Sequence, residues 1–212
     1  MIRFMNAFVK ITGWLPYFLV FRTKVLYENK KAQSRKIKGS AIIVSNHTSV
    51  WDYACYLYVF WRRTLRVLAA EILYEKKHLG PFLNLMGAVY VNRDTRDFSF
   101  IDKSNKILSK GGVILAFPES RIPLKDEATP LEFKPSIAYL SILSQKSIVP
   151  VYTDGNYFSW KRARVLIGKP LEVASLMDPK LSEEENITLV NTKLREKIIE
   201  LRELYEQKTK KR

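Results

Sequence analysis

Short β-branched runs recur along the chain, most of them separated by stretches long enough for a helix. The runs are residues 41–45, 67–70, 87–91, 113–117, 147–152 and 165–168. Apolar segments of this length read as strands, not helices. Between them lie helix-length stretches at 50–61, 71–79, 97–110 and 133–143. Strands that alternate with helices through most of the chain pack as a layered α/β domain, so a mostly parallel sheet flanked by helices is expected. The run Val113-Ile114-Leu115-Ala116-Phe117 is apolar throughout, as a strand buried on both faces requires. Gly80-Pro81 reads as a helix break and Gly111-Gly112 as a helix end. Near the C-terminus, Ser182 and Glu185 form a capping box. The helix behind it repeats Ile187, Val190, Leu194, Ile198, Leu201 and Tyr205 at steps of three and four, so its role reads as structural.

The first run ends in Ser45-Asn46-His47-Thr48-Ser49-Val50-Trp51-Asp52. This leaves a His between a strand and a helix N-terminus, with Asp52 five positions on. Five is the wrong spacing for one helix face. It suits a His in the preceding turn and an Asp in the first helical turn, reaching back. A carboxylate on one imidazole nitrogen leaves the other free to take a proton. The same residues also read as capping: Ser49 at the N-cap, Asp52 serving helix donors and His47 a plain turn residue.

At 212 residues the chain makes one domain, or one domain with an appendage, and 47% hydrophobic content allows a sizeable core. With 36 basic against 21 acidic residues, its net charge of +15 attracts phosphate, as nucleic acid, anionic lipid or phosphorylated substrate. No nucleic-acid motif is readable. The single Cys55 excludes an internal disulfide and, within an apolar aromatic stretch, reads as a packing residue. Two His and one Cys give little basis for a zinc site.

Residues 1–21 are apolar but interrupted by Arg3, Asn6, Lys10, Gly13 and Pro16, which argues against a spanning helix. A signal-peptide cleavage site is not evident. Trp14, Tyr17, Phe18 and Phe21 favour a membrane–water interface. Two short helical pieces in that interface are expected, against the plainer reading of a helix packed on the domain. Arg22, Lys24, Lys30, Lys31, Arg35, Lys36 and Lys38 follow, opposed only by Glu28, and suit anionic headgroups. The expected division is residues 1–38 as membrane-interface helices and polybasic segment, and 39–212 as the α/β domain.

Ligands gather outside the carboxyl ends of parallel strands. His47 follows one run, Arg93 another, and Glu119 with Arg121 a third. Arginine binds phosphate bidentately, and Glu119 can accept from a hydroxyl. Together they favour a site that holds phosphate and deprotonates a neighbouring hydroxyl.

These residues resemble the glycerolipid acyltransferases. Asn46-His47 through Asp52 resembles their His-x4-Asp block. Gly87 through Arg93 resembles the second block, and Phe117-Pro118-Glu119 with Arg121 the third, usually Phe-Pro-Glu-Gly-Thr-Arg. Phe133-Lys134-Pro135 and Ile148-Val149-Pro150-Val151 resemble later positions, in the family's order, over roughly 37–168. The resemblance implies acyl transfer from acyl-CoA or acyl carrier protein to the hydroxyl of 1-acyl-glycerol-3-phosphate, a step of phospholipid biosynthesis. His47 would be the general base and Asp52 its orienting acid. Arg93, Glu119, Ser120, Arg121 and Lys134 would bind the acceptor. It also implies no metal or organic cofactor, no nucleic-acid partner, and work at an anionic membrane surface, peripheral or monotopic on the cytoplasmic face. The third block is one residue short here, Ser120 replacing Gly and Thr, so another lysophospholipid or hydroxylated lipid is the alternative acceptor. Trp51, Tyr53, Leu57 and Leu85 are candidates for an acyl slot, and core packing would explain them equally.

Overall fold

The computed structural model describes residues 1–92, 98–160 and 162–210. Among these residues seven strands form one sheet: β1 (Lys24–Tyr27), β2 (Ala41–Ser45), β3 (Leu65–Ala70), β4 (Val89–Val91), β5 (Val113–Ala116), β6 (Ile148–Thr153) and β7 (Arg164–Ile167). Their order is β1-β7-β6-β2-β5-β3-β4. Neighbours are parallel except β6 with β7. The carboxyl ends of β2 to β6 therefore share one edge with the starts of β7 and β1.

The helices are α1 (Ile2–Thr12), α2 (Trp14–Val20), α3 (Asp52–Val59), α4 (Glu71–Tyr74), α5 (Leu79–Met86), α6 (Ser99–Ser109), α7 (Ser136–Ser144), α8 (Val173–Leu176) and α9 (Glu183–Lys210). They cover both faces of the sheet, because successive strand residues point to opposite sides. Ile43, Leu115 and Val149 join one buried cluster with Cys55, Leu57 and Val59 of α3. Ile42, Ile114 and Ile148 join the other, with Leu108, Leu140, Val190 and Leu194 from α6, α7 and α9. Emptying such a site, as in Ile43→Ala, costs about 2–5 kcal/mol. The capping box forms as expected: Ser182 N donates to Glu185 Oε2 at 2.8 Å, and Glu185 N to Ser182 Oγ at 3.3 Å.

Three local differences from the sequence reading have physical causes. Residues 24–27, read as part of the polybasic segment, are regular secondary structure. They form edge strand β1, parallel to β7, and carry the sheet across the boundary drawn at residue 38. Gly80-Pro81 does not end a helix but lies in the first turn of α5, where a missing N–H breaks no helical bond. Finally, Phe133 and Lys134 precede α7, which starts after Pro135 at its N-cap.

The N-terminal helices pack on the domain. Asn6 Nδ2 donates to Met86 O at 3.1 Å, and buried Lys10 Nζ donates to Trp61 O at 3.0 Å and Arg63 O at 2.7 Å. Helix α2 then runs back along α3: Tyr17 stacks on Tyr58 at 4.1 Å, and Phe21 meets Trp51 at 6.3 Å. The outward side stays apolar, with Phe4, Phe8, Ile11, Trp14, Leu15, Phe18 and Leu19 exposed. No helix of the described residues is long and apolar enough to cross a membrane.

Candidate active site

Strand β2 delivers the chain to the carboxyl edge, and Asn46 fixes where it leaves. Its Nδ2 donates to Thr153 O, and Thr153 N donates to its Oδ1, both at 2.9 Å. This side-chain amide continues the β2–β6 ladder by one step. The next residue, His47, retains 21% side-chain exposure. Its ring stacks on Phe117 at 4.4 Å between centroids.

Asp52 opens α3 with 0% exposure and five donors around it. Oδ2 accepts from His47 Nδ1 (2.7 Å), Thr48 N (2.7 Å) and Ser49 N (3.0 Å). Oδ1 accepts from Thr48 Oγ1 (2.9 Å) and Tyr157 OH (2.8 Å). Of the two readings of the turn, the orienting one matches this geometry: Asp52 holds the imidazole and the turn amides, whereas the N-cap of α3 is Trp51, not Ser49, and it has no side-chain cap. An ionised carboxylate only accepts, so Nδ1 carries the hydrogen and the lone pair lies on Nε2. Nε2 makes no hydrogen bond among the described residues. Burial pushes the Tyr157 hydroxyl far above the ordinary phenol range, so it stays a donor to Asp52. The amides of Thr48 and Ser49 donate to Asp52 and that of Trp51 to Ser49 Oγ.

Glu119 follows β5, the parallel neighbour of β2, and is 3% exposed. Its Oε1 accepts from His47 N at 2.9 Å and its Oε2 from Leu131 N at 2.8 Å. Burial raises its carboxyl above the ordinary range, against the two backbone donors. Glu119 is thus a brace between the His47 turn and the following loop. Each of its oxygens keeps a further lone pair beyond the backbone donor it accepts from.

Arg121 lies in that loop, 50% exposed, and forks onto Glu127 with both nitrogen–oxygen distances at 2.6 Å. The pairing holds the Glu127 carboxyl down at about 2. Ser120 sits at φ +62°, the left-handed region that favours glycine, and its N–H closes a turn onto Phe117 O at 3.0 Å. Lys134 is exposed, and its backbone N donates to Pro118 O at 2.9 Å, which ties it to the same loop. Arg93 lies outside the described residues. Among those described, no three His, Cys, Asp or Glu side chains gather closely enough to hold a metal ion.

Of the acyl-slot candidates, Leu57 is buried in the core, Tyr53 donates to Leu65 O at 3.2 Å, and Leu85 is half-exposed on α5. Only Trp51 flanks the His47 turn. It belongs to an aromatic lip that sequence reasoning missed: Phe158 meets it at 5.3 Å, and Phe21 meets Phe158 at 5.5 Å and Tyr157 at 5.1 Å. Tyr157 and Phe158 lie over 100 positions from His47, so nothing local signals them. Asn46 and Thr48 flank His47 and could have been weighed from position alone.

A protein-family model described as Acyltransferase matches residues 24–154. The human protein named 1-acyl-sn-glycerol-3-phosphate acyltransferase beta is 26% identical over 153 residues, covering 68% of this chain. The chain spans 51% of that relative, about half its length. The solved structure of the 1-acyl-sn-glycerophosphate (LPA) acyltransferase PlsC from Thermotoga maritima shares the fold, with a TM-score of 0.61 at 19% identity. That match covers 95% of this chain and 79% of the other.

Proposed function

The chain belongs to the Acyltransferase family, and from that premise we propose that it moves a fatty acyl chain from a thioester to the free hydroxyl of 1-acyl-glycerol-3-phosphate. The observation that carries this is the imidazole of His47, held at Nδ1 by buried Asp52, with Nε2 making no hydrogen bond among the described residues. Similarity to proteins named for that reaction supports the acceptor.

The reaction suits these groups. A thioester is already activated, so no covalent enzyme intermediate is needed. His47 Nε2 takes the proton of the acceptor hydroxyl as its oxygen attacks the thioester carbonyl. The tetrahedral intermediate collapses, the carbon–sulfur bond breaks, and the imidazolium returns its proton to the departing thiolate. Asp52 stays ionised and stabilises the imidazolium between the two transfers. The aromatic lip of Trp51 and Phe158 offers the acyl chain an apolar entry beside the base. Arg121 and Lys134, with Arg93, are the cations proposed for the acceptor phosphate.

The exposed apolar side of α1 and α2 supports action at a membrane surface, with residues 1–38 supplying the attachment and the polybasic charge. Peripheral or monotopic association on the cytoplasmic face follows from that reading. One observation favours a second acceptor class: the Arg121 guanidinium is already forked onto Glu127. A lysolipid without a phosphomonoester would not compete for it.

An acyl-transfer assay tests the proposal, pairing acyl-CoA and acyl carrier protein donors with phosphorylated and neutral lysolipids. Transfer to 1-acyl-glycerol-3-phosphate is expected, falling by about 10²–10⁴-fold in a folded His47→Gln variant. Near-normal turnover in that variant would remove His47 as the base.

A further inference from the structure

A second charged feature lies at the opposite edge of the sheet. A cavity of about 730 Å³ is lined by Arg3 of α1, Arg62, Arg63 and Arg66 around the start of β3, and Lys106 and Lys110 at the end of α6. No acidic side chain of the described residues lines it. Gly111 and Gly112, just before β5, complete the lining. His47 stacks on Phe117, just beyond the other end of β5. Five strand steps from Gly112 to Phe117 span about 16 Å, at ~3.3 Å per residue. The cavity is therefore separate from the His47 site.

Arg63 is set in place by the fold, and the cations around it are left uncompensated. Arg63 donates to Ile37 O at 3.0 Å and to Gly111 O at 2.5 Å, which fixes its guanidinium. None of the six cationic side chains forms an ion pair among the described residues. Burial, with Arg3 close by, holds the Arg63 guanidinium below its ordinary value, so like charges crowd here. Such a cavity is complementary to a multiply charged anion.

The surroundings indicate what carries that anion. Arg3 is next to exposed Phe4, and Arg62 next to exposed Trp61. The same α1 presents Phe8 and Ile11, and α2 continues the apolar side toward the His47 edge. A polar group with charge, seated beside an apolar surface, is the chemistry of a lipid headgroup. We propose that this cavity is a phosphate site for an anionic membrane lipid, selecting a phosphomonoester headgroup and docking the protein on the bilayer apart from the substrate at His47. The assignment rests on the reading of α1 and α2 as membrane-facing.

The test compares co-sedimentation with three vesicles: phosphatidylcholine alone, phosphatidylcholine with phosphatidate, and phosphatidylcholine with phosphatidylglycerol at matched surface charge. The pocket variant is Arg62→Gln/Arg66→Gln/Lys106→Gln. The reference variant, Lys180→Gln/Lys208→Gln/Lys210→Gln, removes the same charge at exposed positions outside both the cavity and the polybasic segment. At about 5-fold per cation near a membrane surface, the pocket variant should bind phosphatidate vesicles about 100-fold more weakly. It should also lose the wild-type preference for phosphatidate over phosphatidylglycerol. The reference variant should keep that preference. Equal behaviour of the two triple variants would overturn the site and leave only a diffuse basic field. Saturation of the cavity by glycerol phosphate as readily as by vesicles would make the ligand a soluble phosphate and overturn the lipid assignment. Loss of duplex DNA binding alone in the pocket variant would do the same in favour of nucleic acid. Phe4→Ser/Phe8→Ser, assayed on phosphatidylcholine alone, tests the membrane-facing helices separately, so either reading can fail without the other. Thermal melts show whether each variant is folded, and single Arg62→Gln, at an exposed position, is the milder fallback.

Discussion

The turn at 46–52 and the loop at 120–132 meet at one edge of the sheet, yet they hold their charges in opposite ways. In the turn, Asp52 is buried and its donors come from the turn itself and from Tyr157, more than 100 positions on. In the loop, Arg121 and Glu127 answer each other six positions apart, both toward solvent. A buried carboxylate with several donors fixes one geometry, as proton transfer needs. An exposed ion pair is weakly held and can be exchanged for a ligand. Glu119 joins the two, one oxygen on each.

Breaking the turn should have the largest effect. Asp52→Asn keeps the shape but places an amide where only acceptors fit. It releases the His47 tautomer and leaves Thr48, Ser49 or Tyr157 facing a donor. Turnover is expected to drop on the order of 10³–10⁴-fold, with a stability loss of at least about 2 kcal/mol from bonds to a charged group. Steady-state kinetics and chemical denaturation of the same preparation measure both. A drop in turnover without loss of stability would mean that the five donors are not acting as one network.

Uncoupling the two regions comes next. Glu119→Gln leaves one oxygen for two backbone N–H groups, and a cost of about 1–3 kcal/mol is expected. The pH dependence has a definite sign. Burial raises the folded carboxyl above its ordinary 4.5, so the folded state binds the proton more tightly than the unfolded chain does. That contribution is fully present below 4.5 and is lost as pH rises through the raised folded value. The stability of the wild type relative to Glu119→Gln should therefore decline as pH rises above 4.5. An increase over the same range would mean that the His47 and Leu131 amides outweigh burial.

The loop should respond more mildly and in specificity. An acceptor phosphate that uses Arg121 must displace Glu127. Glu127→Gln removes that competition, so KM for a phosphorylated acceptor should fall a few-fold, with KM for the thioester donor unchanged. If neither value moves, Arg121 is not a phosphate ligand, which strengthens the neutral-lysolipid alternative.

The same contrast explains what could be read in advance. Strands β2, β5 and β6 were legible because a strand buried on both faces is apolar throughout. The His47–Asp52 pair was legible because both residues lie in one turn. Strand β1 was not: Lys24-Val25-Leu26-Tyr27 sits at the sheet edge, half-buried, inside a basic run that masks its pattern. Tyr157 was not, since a contact across 105 positions leaves no local trace. Glu119 was legible as a residue of this edge, and its bridging contacts were not. The turn geometry that turns its carboxylate toward His47 N and Leu131 N is set by tertiary packing.

The smallest expected effect is at Ser120, where the shortened block leaves a backbone signature. Its φ of +62° costs a residue with a Cβ about 1 kcal/mol relative to glycine. The greater freedom of glycine in the unfolded chain takes back part of this, about 0.5 kcal/mol. Ser120→Gly and Ser120→Ala both remove the hydroxyl, so their difference isolates the backbone. The Gly variant should be the more stable by about 0.5 kcal/mol, read from paired denaturation curves. Arg121 is the next residue, so the pair also reports on the loop. If Gly restores stability but leaves the Glu127→Gln effect on acceptor KM intact, the left-handed turn is a local adjustment to the shorter block and the ion pair alone sets acceptor choice. If Gly abolishes that effect, the strained turn is what aims Arg121 at Glu127.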